Sequence, residues 1–452
     1  VDHLLEVTRT LCPDCLQVVD GQVVERDGRA VLRRRCPVHG LREGVVSGDA
    51  ALYMEASAYN KPGTSPLSFA APVKNGCPYD CGLCSEHKQH TCLALIEITN
   101  ACNMRCPTCF ASSGEGDFKD LASIEKMIES FTTRESNPEV LMISGGEPTI
   151  HPRILEVVDL ARRKGVRWVV VNTNGKRIAR DEPFARALAE RRVWLYLQFD
   201  GFKEETGLKI RGERDLIDVK LRTLDVCARV DLPVIAVMTV ERGVNDDEIG
   251  AVCEMMLGSE IVKGLCYQPV FHAGRHDGHF DPMTRLTLAD VLRKLVEQTG
   301  GKFTIRDFIP DPCPYPTCGS TTYVYADRER PLVLPRLVDV HTYLNYAQNR
   351  TVPDAARFIR ESLEKLFSAG ALPTTPPIVQ SFCDSCGLSM VELAAGASRK
   401  LKMIKIKPFM DAWTFDLKRI MKCCVHEATE DGRLVPFCAW NNIPIYRAAK
   451  PT

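Results

Sequence analysis

Residues 93–109 read LALIEITNACNMRCPTC, an apolar run followed at once by three cysteines, Cys102, Cys106 and Cys109. Such a run, ending in polar residues, is the signature of a strand feeding a loop, which places the three thiols at a strand tip. Three thiolates on a four-iron cluster leave one iron without a protein ligand, a position that a small molecule can chelate. Further apolar runs lie at 139–146, 166–173, 193–200, 233–240 and 262–270, separated by helix-like stretches near 120–135, 151–164, 183–191, 214–230 and 246–258. Strands alternating with helices predict an α/β fold with a parallel sheet and right-handed crossovers, either open or curled into a partial (β/α)6 barrel. Runs without polar alternation fit strands covered on both faces. In either form, ligands bind at the carboxyl ends of the strands.

Composition sets the outer bounds. The 452 residues are 45% hydrophobic and 26% charged, as in ordinary globular chains. Lys+Arg and Asp+Glu are equal at 58 each, which argues against a broad nucleic-acid-binding face. No apolar run approaches the ~18 residues of a membrane span. The opening VDHLLEVTRT lacks the basic and apolar regions of a secretory signal, so a cytoplasmic setting is expected. Cysteine is the outlier, at 20 residues. Without a signal, and with pairs at metal-binding spacings, thiolate ligation is the expectation rather than a disulfide framework. Cys227, Cys253 and Cys266 stand alone in apolar segments and read as core residues.

The other cysteines fall into groups. Near the start, CPDC (Cys12, Cys15) and CPVHG (Cys36, His39) flank a hairpin centred on Asp27-Gly28. A Cys3His set of this kind holds one tetrahedral ion, zinc or a rubredoxin-like iron, in a ribbon spanning 1–62. Residues 77–92, CPYDCGLCSEHKQHTC, repeat the Cys-x3-Cys-x2-Cys spacing with Cys77, Cys81 and Cys84 and then add Cys92. Four thiols can close a cluster, so segment 63–92 is expected to carry an auxiliary one. The barrel core spans 93–285. Beyond it, 286–452 reads as a separate, irregular region stapled by metal, with Cys313, Cys318, Cys383, Cys386, Cys423, Cys424 and Cys438. A second auxiliary cluster is expected there from Cys313 and Cys318 with Cys383 and Cys386; a closing set drawn from Cys423, Cys424 and Cys438 stays open.

Cys-x3-Cys-x2-Cys after the first strand, with GGEP (Gly145, Gly146, Glu147, Pro148) after the second, resembles the radical S-adenosylmethionine superfamily. The resemblance implies that the open iron binds S-adenosylmethionine and that one electron cleaves it to a 5′-deoxyadenosyl radical. It further implies that GGEP receives the cofactor ammonium, that Asn174, Gln198 and Asp200 face its ribose or methionine part, and that Arg211 pairs with its carboxylate. One departure is plain: the family's aromatic before the third cysteine is Thr108 here, and Phe110 follows. The whole arrangement, from the CPxC…CPxHG ribbon through QPVFHAGR to a terminal KCCVH…LVPFCAWN, resembles the tetraether lipid synthase family. Members of that family are also described as methyltransferases of 7,8-dihydro-6-hydroxymethylpterin.

This resemblance implies carbon–carbon coupling of lipid chains in lipid biosynthesis, with methylation or modification of a small heterocycle such as a pterin as the alternative. It implies three [4Fe-4S] clusters, S-adenosylmethionine, one mononuclear zinc or iron, and a reductant such as ferredoxin or flavodoxin. Residues 399–415, RKLKMIKIKPFMDAWTF, alternate lysines with apolar residues. They fit either a peripheral contact with anionic lipid or a solvated edge strand. His272 and Arg275 are candidates to grip a polar head group. An iron count of roughly 10–12 per chain is expected from three cubanes.

Overall fold

The computed structural model describes residues 2–276, 280–326, 331–336 and 400–447. Cys383 and Cys386 lie outside the described residues. At the start, β1 (His3–Leu11), β2 (Val18–Arg26), β3 (Arg29–Cys36) and β4 (Gly40–Ser47) form an antiparallel sheet in chain order. Asp27 and Gly28 turn β2 into β3 with φ of 51° and 73°. Two successive positive φ values match the right-handed twist of a hairpin, and an Asp-Gly pair tolerates them at low cost.

The expected parallel sheet follows, as β5 (Leu93–Glu97), β6 (Val140–Ser144), β7 (Trp168–Thr173), β8 (Trp194–Gln198), β9 (Val234–Val240) and β10 (Val262–Pro269). Neighbours in this order pair in parallel. Side chains alternate strictly. Ala94, Ile96, Leu141, Ile143, Val169, Val171, Leu195 and Leu197 pack outward in the core shared with the helices. Leu95, Met142, Val170, Tyr196, Val237 and Gln268 point to the other side and line a cavity. Both faces are therefore apolar for different reasons, which is why the strands read as unbroken hydrophobic runs. Cys227 and Cys253 sit in the outer core, whereas Cys266 faces the cavity.

The C-terminal third is woven into this sheet rather than set apart from it. After β11 (Ile309–Pro310), β12 (Ser320–Tyr325) and β13 (Leu332–Val333), β14 (Leu401–Ile406) pairs in parallel with β10 and antiparallel with β12. At the opposite edge β15 (Val425–Ala428) pairs in parallel with β5 and antiparallel with β16 (Leu434–Pro436). Met403 and Lys405 of β14 and Val425 of β15 line the same cavity, so the long sheet curls into a partial barrel.

Lys402 and Lys405 accordingly do not belong to a lipid-facing stripe or a solvated edge. Lys402 is buried, with Nζ donating to the carbonyls of Met256 (2.5 Å), Val262 (3.0 Å) and Ser259. Lys405 pairs with Asp311 at 2.5 Å. A strand between two partners has no free edge to solvate, and its cations must find internal acceptors. Among the described residues, no helix is long and apolar enough to cross a membrane.

The ribbon is tied to the chain's far end. Thr10 donates to the carbonyl of Phe415, Thr8 donates to Asp416, and Arg34 donates to the carbonyl of Trp413. Beside them Arg285 grips Asp411 through two bonds of 2.9 and 2.8 Å, with both side chains buried. Removing one member of such a pair strands a charge in a medium of low polarity. Arg285→Ala is expected to lower unfolding stability by about 3–5 kcal/mol in denaturant titration. Arg293→Ala, at a half-exposed partner of Asp290, should change it by less than about 1 kcal/mol.

Candidate active site

The loop after β5 carries Cys102, Cys106 and Cys109 to the carboxyl end of the barrel, and several bonds fix its path. Thr99 Oγ1 donates to the carbonyl of Asp117 and accepts from the Ala101 N–H, and the Cys102 N–H reaches the carbonyl of Gly114. From the far side of the barrel, Arg275 exchanges two backbone bonds with Cys109 (2.8 and 2.9 Å), and its Nε donates to the carbonyl of Cys106 at 2.8 Å. Arg275 is thus a clamp on the cysteine loop rather than a hand for a substrate head group. His272 stacks on Phe280 with ring centroids 3.4 Å apart.

The GGEP segment lies directly against this loop. The Gly146 N–H donates to the carbonyl of Thr99 and the Glu147 N–H to that of Ala101. A Cβ at Gly145 would stand 2.2 Å from the Thr99 oxygen, and one at Gly146 would stand 2.2 Å from the Ala101 oxygen. Two glycines are needed because two backbones touch. Glu147 is buried and acts as a bracket. Its carboxylate accepts from Thr149, from Thr173 Oγ1 (2.7 Å) and from the Asn174 N–H (2.7 Å), joining the ends of β6 and β7. Pro148 opens the short helical turn beyond it.

Asn174 turns its amide to Asn103 in the cysteine loop at 2.7 Å. Gln198 lines the cavity at the tip of β8. Arg211 also lines it, but its planar fork is taken by Asp200, at 2.7 and 2.8 Å. Asp200 accepts from the Thr239 N–H as well. Arg211 and Asp200 thus satisfy each other, with Arg211 still at the cavity wall. A bidentate, buried ion pair holds the guanidinium beside Cys106.

Burial pushes the Cys102 thiol up to about 12 and also raises that of Cys106, where Arg211 opposes the shift. Metal ligation takes the thiolate form, so a cluster bound there would displace these protons. Lys220 carries no motif and was not legible as a site residue. It is buried behind the strand tips with Nζ donating to the carbonyl of Asn174 at 2.6 Å. Burial pulls its ammonium down to about 8, against the attraction of Asp200.

The remaining cysteines follow the expected grouping in the ribbon and depart from it at Cys92. In the ribbon, Cys12, Cys15, Cys36 and His39 converge with all four ligand atoms within 4.8 Å of one another, a donor set that fits a tetrahedral ion. Cys77, Cys81 and Cys84 stay neighbours, with the Cys81 N–H donating to Tyr446 Oη. Cys92 does not join them. It lies against Cys313 and Cys424, all three buried. The reason is register: Val425 pairs with Leu93, so the preceding residues meet as well, and the Cys92 and Leu93 N–H groups both donate to the carbonyl of Cys424. Cys318 instead accepts from Arg419 Nε at 3.2 Å and lies near Cys438. All described cysteines are free of disulfides.

One cavity joins the two ends. It has a volume of about 300 Å³, with Cys102, Cys106 and Cys109 at its carboxyl rim and Cys313 and Cys424 at its base. The length of β5, roughly 17 Å at about 3.3 Å per residue, separates these ends. Its walls are mostly apolar, with an aromatic group of Phe110, Phe271, Phe409 and Phe437 whose ring centroids lie 4.6–6.3 Å apart. Tyr196, Gln268, Asp311, Thr321 and Lys405 give one polar flank.

Gly146→Ala is expected to keep the overall fold by circular dichroism while displacing the cysteine loop. It should cost about 1–3 kcal/mol of stability and reduce the iron retained on reconstitution.

Residues 96–256 match the family model described as the radical SAM superfamily, and residues 4–48 match the HMPTM N-terminal zinc ribbon domain. The chain is 33% identical over 478 residues to a 7,8-dihydro-6-hydroxymethylpterin dimethyltransferase of Methanocaldococcus jannaschii, covering 96% of this chain and 93% of that protein. It is 31% identical to an Fe-coproporphyrin III synthase of Methanosarcina barkeri, over 39% of this chain and 44% of the other. It is 28% identical to a GTP 3′,8-cyclase of Chlorobaculum tepidum, over 45% and 63% respectively. These relatives are named for pterin, porphyrin and nucleotide chemistry. They overturn the expectation of lipid-chain coupling and of a place in lipid biosynthesis.

Proposed function

Because this chain belongs to the radical SAM superfamily, in one family with the pterin dimethyltransferase of M. jannaschii, we propose that it methylates or otherwise modifies a small heterocycle of the pterin class. It is a radical SAM enzyme, and likeness along nearly the whole of both chains is the observation that carries the substrate class. The cavity supports the reading. A volume of about 300 Å³ suits one small molecule, and its apolar walls with a single polar flank are the usual make-up of such a site. Phe271, Phe409 and Phe437 offer faces for a planar ring, while Gln268, Tyr196 and Lys405 offer hydrogen-bonding groups for its edge.

Cys102, Cys106 and Cys109 would hold a four-iron cluster, which would supply the electron for reductive cleavage of S-adenosylmethionine. Around it this chain's residues position and exclude. Gly145 and Gly146 let the cofactor wall close on the cysteine loop, and Glu147 with Pro148 hold that wall in place. Asn174 and Gln198 face the cofactor, and Arg211, locked by Asp200, keeps a fixed positive charge beside Cys106. Apolar side chains keep water from the reactive carbon. The ribbon set takes zinc as a structural ion. Cys77, Cys81 and Cys84 would hold a second cluster, and a ferredoxin or flavodoxin would supply the electron.

The reconstituted enzyme, reduced and given S-adenosylmethionine with 7,8-dihydro-6-hydroxymethylpterin, is expected to form 5′-deoxyadenosine and a pterin heavier by one or more methyl groups. Cys106→Ala should abolish both products by mass spectrometry. An unchanged pterin alongside 5′-deoxyadenosine would overturn the substrate class and leave the radical chemistry standing.

A further inference from the structure

Asp311 stands in the stretch IPDPCPYPTCG (309–319), between Pro310 and Pro312. Proline fixes its own φ and confines the residue before it to extended backbone, so this carboxylate is mounted on a stiff segment. The Asp311 N–H donates to the carbonyl of Gly319 at 3.0 Å, and a Cβ at Gly319 would collide with Asp311 Oδ2. Oδ1 accepts from Thr321 Oγ1 at 2.6 Å, and Oδ2 accepts from Lys405 Nζ at 2.5 Å. Lys405 Nζ also reaches Thr321 Oγ1 at 3.3 Å. Asp311 is only 6% exposed, yet it lines the cavity together with Thr321 and Lys405.

The same strand shows what a purely structural lysine looks like. Lys402 is held in the outer core, where the carbonyls of Met256, Ser259 and Val262 take its ammonium. Three residues on, Lys405 takes the opposite face and lines the cavity with Met403. A carboxylate has about four acceptor sites and an ammonium three donors. Thr321 and Lys405 use one site on each oxygen of Asp311, while Asp311 and Thr321 use two donors of Lys405. Each oxygen keeps a further acceptor site and the ammonium keeps one donor. Because Nζ is bonded to Oδ2, these follow in the order acceptor, acceptor, donor.

We infer that Asp311 and Lys405 form the specificity subsite of the cavity, which reads the 2-amino-4-oxopyrimidine edge of a fused bicyclic substrate. That edge presents the complementary series: an amino N–H, a ring N–H and a carbonyl oxygen. The carboxylate takes the two N–H groups side by side, as it takes the fork of a guanidinium, and the ammonium takes the carbonyl. Asp311 lies two residues before Cys313 at the cavity base, so the second ring of the substrate points towards the rim of Cys102, Cys106 and Cys109. The assignment rests on the proposed pterin substrate and adds which of its edges is recognised. Guanine carries the same edge, so the subsite alone would accept either bicycle.

The test is binding, not turnover. Anaerobic, unreduced holoprotein with S-adenosylmethionine is titrated calorimetrically with 7,8-dihydro-6-hydroxymethylpterin and with its lumazine counterpart, in which oxygen replaces the 2-amino group. Guanosine and xanthosine form a second pair that differs in the same way. Wild type is expected to bind the pterin roughly 10–100-fold more tightly than the lumazine, the worth of a hydrogen bond to a charged group. It should bind guanosine more weakly than the pterin. Asp311→Asn should erase the preference for pterin over lumazine. The double variant Asp311→Asn/Lys405→Met, which strands no charge, should do the same. Equal affinity for pterin and lumazine in wild type, or a preference kept by either variant, overturns the subsite and leaves the pterin substrate standing. Tighter binding of guanosine, with xanthosine rejected through Asp311, overturns the pterin substrate and keeps the subsite. Failure of both bicycles to bind overturns both.

Discussion

The parallel pairing of β15 on β5 is the contact on which the rest of the molecule depends. Val425 to Glu427 set against Leu93 to Leu95 give the first barrel strand a second neighbour. Without that neighbour the strand leading to Cys102, Cys106 and Cys109 would be a free edge, with unpaired backbone groups and an apolar face. The same register fixes Cys424 beside Cys92, and Val425 completes the cavity wall. One pairing thus serves sheet, cavity and buried thiols together.

The catalytic rim follows a second constraint of the same kind, backbone on backbone. Gly145 and Gly146 let the β6 loop rest on Thr99 and Ala101, while Arg275, beyond β10, holds the cysteine loop that follows β5. First, second and sixth strands therefore meet over the three thiols. The polar residues at the strand tips mostly satisfy one another, as Glu147 does with Thr173 and Arg211 with Asp200. A site whose own groups are already paired is preorganised, and needs little rearrangement when a cofactor enters.

Much of this was legible in the residues. Unbroken apolar runs separated by helix-like stretches announce the six core strands, because local pattern reports local burial. The ribbon was equally plain, since Cys12, Cys15, Cys36 and His39 sit in two short knuckles around one hairpin. What could not be read was pairing across distance. Cys92 looks like a fourth ligand for its near neighbours Cys77, Cys81 and Cys84, yet register gives it to Cys313 and Cys424. Lys402 and Lys405 look like a solvated stripe because nothing local says that β10 and β12 flank them. Asp200 and Arg211 read as cofactor ligands by resemblance, while their geometry makes them each other's partner. Lys220 has no motif at all, and only its burial beneath Asn174 marks it.

The far position of β15 in the chain has a consequence for biosynthesis. The wall begun at Leu93 cannot be finished until Val425 has left the ribosome, when nearly all of the described protein has been made. Until then the apolar inner face and its thiols stand open to solvent and oxidants, in the kind of slow, non-local assembly that exposes nascent chains to aggregation.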